Sequence, residues 1–196
     1  MNIYLHDLMA FFHVVLFVYA IGGDIAVYYI GNYITKDELP IEERLRVRSM
    51  RFIVDMSART SLVLLLPIGF TLATAFGSSI DGIMLQAIWL FSIIWLILIW
   101  IVLFKRETQE GETFRIIDLG IRYILSLGLF GLGLYSLFSD AIIPSNWLAL
   151  KVSIFGLILM NGIWIRRIVG KMRNSILMVQ NSQDKHIAEA TIKKQQ

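Results

Sequence analysis

The sequence predicts an all-α, polytopic transmembrane bundle of five spans, with a basic amphipathic helix running into the second span. Three observations carry this. The chain has 196 residues, 57% of them hydrophobic, and a mean hydropathy of +0.67. Its charges gather between apolar runs instead of spreading at globular density. Of the 18 Lys and Arg, all but Lys151 fall in the first and third loops, at the adjoining helix ends or in the C-terminal tail. Such alternation is the positive-inside pattern, and it sets the N-terminus outside and the C-terminus in the cytoplasm of a bacterial cytoplasmic (inner) membrane.

The first span is Leu8 to Ile30, LMAFFHVVLFVYAIGGDIAVYYI. At ~1.5 Å per residue it covers roughly 34 Å, enough for a hydrocarbon core of about 30 Å. No Lys or Arg precedes it, and it is too long for a signal-peptide core, so this helix is expected to be retained. Pro40 with Glu42 and Glu43 has the composition of a helix first turn. Arg44, Arg48, Arg51, Asp55 and Arg59 then share one face of that helix, which reads as a basic amphipathic segment at the headgroups. Asp55 and Arg59 are spaced to pair. The segment continues into the second span, Ser61 to Gly77, where Pro67 is expected to kink it.

The third span, about 83–104, has no charge and three Trp, and reads as a lipid-facing wall. The fourth, about 119–138, carries Gly120, Gly128, Gly131 and Gly133, which favour close helix approach. Arg122 lies one turn inside it. The fifth, about 147–168, has Lys151 near its start and Arg166 and Arg167 near its end. One bundle over 1–173 and a cytoplasmic polar tail over 174–196 follow from this division.

Composition removes several function classes. With no Cys there are no disulfides, thiolate metal sites or thiol redox chemistry. The basic pI, about 9.2, reflects residues that flank spans and meet the lipid bilayer, so no nucleic-acid partner is implied. Neither a Gly-rich phosphate loop nor a nucleophile and base constellation is present.

The chemistry-bearing residues are those inside the spans. On a helical wheel His6, His13 and Asp24 fall within about 20° of each other, making one face of the first helix polar. Ionisable groups in hydrocarbon are costly unless paired, so that face is expected to look into the bundle or at a cofactor. Two clusters emerge: His13 and Lys151 toward the outer leaflet, and Asp24, Arg59 and Arg122 toward the inner. Asp24 is expected to be neutralised by Arg59 or Arg122. His13 is either a haem axial ligand or a packing residue.

The stretch HVVLFVYAIGG, with His13 ten residues before Gly23, resembles the first-helix pattern of the HemJ-type protoporphyrinogen oxidases and of related CopD-like and predicted integral membrane protein families. MSAR at Met56 to Arg59, ahead of Pro67, and NWLALK late in the chain continue the resemblance in order. The chain differs in having five predicted spans rather than four and MSAR where an acidic-basic MERR-like run is usual. The resemblance implies a functional first-helix His and a Lys after a WLxxK-like motif, which are His13 and Lys151 here, and a haem b or porphyrin cofactor. Two functions stand side by side: a haem- or porphyrin-binding membrane protein for redox or proton transfer, and a non-enzymatic accessory subunit or small-ion permeation protein. A homodimer or another membrane partner is compatible with either.

Overall fold

The computed structural model describes residues 3–34, 39–105, 108–139, 142–143 and 145–181, with side chains described as far as Ile165 except that of Ile41. Among these residues the protein is all-helical: α1 (Ile3–Ile34), α2 (Ile41–Thr74), α3 (Gly82–Phe104), α4 (Gln109–Phe138) and α5 (Asn146–Asn181). All five helices are long and apolar enough to cross a membrane. The protein is an integral membrane protein by that criterion.

Local chemistry explains the ends. Glu42 and Glu43 sit in the first turn of α2, where negative charge complements the exposed N–H groups. The basic segment and the second span are one continuous helix, unbroken at Pro67, whose carbonyl accepts the Thr71 hydroxyl at 2.7 Å. Gly77 ends the following turn with φ 79°, a conformation that suits a residue without Cβ. Ser79 N–H then donates to the Ile142 carbonyl, joining the α2–α3 turn to the α4–α5 connection. At the opposite end Thr108 caps α4 by accepting from Gly111 N–H at 3.1 Å. The backbone of α5 stays helical to Asn181, beyond the predicted tail boundary at 173; the rest of that tail lies outside the described residues.

Two closely packed hairpins, α1 with α2 and α4 with α5, are bridged by α3. Antiparallel pairing of α1 and α2 keeps one register along the whole helix: His6 meets Phe76, His13 meets Gly69, Gly23 meets Ala58, and Gly31 meets Arg51. The buried stripe of α1, Ala20, Gly23, Val27, Gly31 and Ile34, has the three-and-four spacing of one helix face. A Cβ on Gly23 would lie 2.7 Å from the Ala58 Cβ, so the two backbones are as close as this glycine allows. In the second hairpin Gly133 and Gly156 play that part, and the Ser126 hydroxyl crosses to the Gly156 carbonyl at 3.0 Å. Small residues let membrane helices approach closely enough for such contacts. Of the glycines expected to do this on α4, only Gly133 does; Gly120, Gly128 and Gly131 have open space beside them.

The core lies where α2, α3, α4 and α5 converge, around Val63, Leu66, Trp95, Ile99, Leu129 and Leu159. Outward, α3 exposes Ile83, Met84, Leu90, Ile93, Ile94 and Ile97. These side chains suit lipid, so most of α3 is the expected wall. Trp95 departs from it and is fully buried.

Candidate functional site

Each polar group inside the bundle is placed by a helix register already described. At the N-terminal end, α1 lays the His13 ring on α2 where Gly69 has no side chain. A Cβ there would come within 3.2 Å of His13 Cε1, so the glycine makes the seat. Nδ1 of His13 is buried and has no hydrogen-bond partner among the described residues. A buried imidazole nitrogen ordinarily finds one, and here its lone pair or N–H is left unused.

Lys151 approaches from the opposite hairpin. Its helix, α5, reaches α1 over the floor of α2, where Phe155 and Ile158 pack with Leu16 and Ala20 around Leu62 and Leu65. Trp147 meets Phe76 edge to face at 5.2 Å between ring centroids, and Phe76 in turn neighbours His6. One turn deeper, the Lys151 ammonium rests 4.0 Å above the Trp147 ring, a cation–π contact. From there it is within electrostatic reach of His13. The structure thus brings His13 and Lys151 into one neighbourhood, with Lys151 itself exposed at the rim.

In the other cluster the ion pairs between Arg59, Arg122 and their partners run along single helices. Arg59 pairs with Asp55 on its own helix, as their spacing predicts. Arg122 pairs with Asp118, its Nε donating to both carboxylate oxygens at 3.3 Å. Asp24, half-buried beside the Gly23–Ala58 crossing, is engaged in interactions of its own. Trp95 completes the group: its Nε1–H donates to Asp118 Oδ1 at 2.9 Å, and its ring centroid is 5.2 Å from the Arg122 guanidinium carbon. Trp95, Asp118 and Arg122 are each about 1% exposed or less. Burying a charge pair this deeply is tolerated when a partner and further hydrogen bonds satisfy it, and here Trp95 supplies one of them.

Asp118 and Trp95 were missed in the sequence. Asp118 falls just before the apolar run of α4, where it reads as a loop residue. Its signal is Asp-x-x-x-Arg, present twice as Asp55–Arg59 and Asp118–Arg122 on helices that run in the same direction. Trp95 has no such signal, because nothing in α3 distinguishes it from Trp89 or Trp100.

The two clusters are separate. Arg59 and Gly69 are ten positions apart on α2, roughly 15 Å along the helix. Leu62, Val63, Leu65 and Leu66 fill that stretch and are buried against α1, α3, α4 and α5. No three His, Asp or Glu side chains converge as a metal site among the described residues. Compared with protein-family models, curated proteins and solved structures, the chain matches none.

Proposed function

We propose that the protein is a bacterial cytoplasmic-membrane component, its N-terminus outside, that binds a b-type haem or a porphyrin between α1 and α5 for redox or proton transfer. The observation that carries this reading is the buried Nδ1 of His13, which has no hydrogen-bond partner among the described residues, with a lysine of the other hairpin within electrostatic reach. The resemblance to HemJ-type and CopD-like membrane proteins points to the same two residues. An imidazole nitrogen, a rim ammonium and the Trp147 and Phe76 rings are the groups that a planar, apolar ligand with acidic side arms requires.

In this reading His13 would hold the haem iron or accept a proton, and Gly69 makes room for its ring. Lys151 binds a propionate, or acts at the porphyrin. Lys151, a Met or His13 of a second copy would be the further groups able to hold a haem, and a position left open is equally compatible. Bound haem would supply a one-electron couple. The apolar layer between Gly69 and Arg59 keeps this site apart from the ionic cluster, which favours local chemistry over a polar path for ions through the bundle.

An absorption spectrum of the full-length protein, purified in mild detergent from haem-replete cells, tests this. Wild type should show a Soret band and b-type reduced peaks, and His13→Ala should lose them. Gly69→Ala should shift or weaken them, because its methyl displaces the ring. A colourless wild type, as stable as His13→Ala, would reject the cofactor and leave a non-enzymatic accessory role.

A further inference from the structure

His6 precedes His13 by two turns of α1, roughly 10 Å, a spacing that leaves both rings on one face of the helix. His13 is the deeper of the two and rests on Gly69. His6 stands nearer the end of the bundle, edge to face with Phe76 at 6.4 Å between ring centroids. From Phe76 the contacts continue to Trp147 at 5.2 Å, and from Trp147 to the Lys151 ammonium at 4.0 Å. His6, Phe76, Trp147 and Lys151 therefore form one row across the mouth of the bundle, from α1 over the turn that ends α2 to α5.

Both ends of this row are unspent. Among the described residues His6 and Lys151 make no ion pair and no hydrogen bond beyond the ring contacts just given. Phe76 and Trp147 between them are half-exposed, so the row is open toward a ligand. Two rings make an apolar wall, and a nitrogen donor at each end suits a ligand with two acidic groups set apart along one apolar edge. A single carboxylate would engage one end and leave the other idle. Haem b and protoporphyrin have the required form, because their two propionates leave the same edge of the macrocycle.

We propose, resting on the reading that the ligand is a haem or porphyrin, that its two propionates are divided between helices, one on Lys151 of α5 and the other on His6 of α1. The acidic edge then faces the mouth, and the apolar remainder lies toward His13. The row selects for two free acid groups and discriminates against their esters. Lys151 is in this arrangement a carboxylate-binding residue and not an iron ligand, and His6 is a binding residue that contributes nothing at the iron.

The test is a Soret titration of the full-length protein in detergent, prepared without haem, with haem and with haem dimethyl ester. Wild type, His6→Phe, Lys151→Leu and the double variant are compared. His6→Phe keeps a ring against Phe76 and Lys151→Leu keeps an apolar stem near Trp147, so each removes the donor alone. Wild type should bind haem roughly a hundredfold more tightly than the ester, about tenfold for each charge-assisted contact. Each single variant should lose about tenfold toward haem and nothing toward the ester, and the double variant should bind both alike. The Soret position of bound haem should be the same in Lys151→Leu as in wild type. Three results would each overturn the proposal and leave the haem reading standing: no preference for haem in the wild type, a wild-type preference retained in His6→Phe, or a shifted band in Lys151→Leu. No Soret change with either compound would remove the haem reading itself, and this proposal with it.

Discussion

The imidazole of His13 and the carboxylate of Asp118 illustrate opposite fates of a polar group in a membrane bundle. Asp118 is satisfied by Arg122 and Trp95, and its role is cohesion between α3 and α4. Asp118→Asn strands the Arg122 charge in the core and should lower stability by about 3–5 kcal/mol, the usual cost of removing one partner of a buried pair. Replacing both residues, as Asp118→Asn with Arg122→Met, should recover much of that loss in thermal unfolding in detergent. Additive losses would show that the two residues are not coupled. His13, by contrast, keeps an unpaired nitrogen, so it is the residue on which the functional reading rests. Its presence in a span was legible in the sequence. Its seat on Gly69 was not, because a ring and a glycine 56 positions apart meet only through the register of the hairpin.

At the scale of helices, glycine position decides how near two elements come. Gly23→Ala places a methyl against Ala58 and should destabilise the α1–α2 hairpin by about 1–3 kcal/mol, the range for overpacking. Ala58→Gly in the same chain removes the clash and should restore the melting temperature to near that of Ala58→Gly alone. Failure of that rescue would mean that the contact is not what limits the approach. Gly120→Ala or Gly128→Ala, with open space around each, serves as the neutral control. The reading of α4 as a close-packing helix was right, yet the sequence offered four glycines and the structure uses one. Gly156 on α5, which meets Ser126 and Phe130 of α4, was not distinguishable beforehand. Spacing alone says which residues share a face, and not which face meets a neighbour. The basic segment of α2 shows the same limit. Its amphipathicity was legible, but which side faces outward depends on α1 being there to cover Arg51.

The whole molecule is two hairpins bridged by a helix that is mostly lipid-facing, with a polar site near each end and an apolar layer between them. If the basic end faces the cytoplasm, single cysteines introduced into this Cys-free chain report it directly. Ser79→Cys, in the exposed α2–α3 turn, should react with an impermeant maleimide in intact cells, and Gln109→Cys at the start of α4 only after permeabilisation. The reverse pattern would invert the protein. What the sequence by itself determined was the number of crossings, their approximate limits and the segregation of charge. These are properties of contiguous stretches measured against a hydrocarbon core of about 30 Å, and no neighbour is needed to read them. Only the tertiary structure decided that Arg122 belongs to Asp118, that Trp95 turns inward and that Lys151 comes within reach of His13. Those outcomes depend on helix order and rotation. Both are fixed by packing between small residues far apart in the chain, which leaves no periodic trace in any single helix.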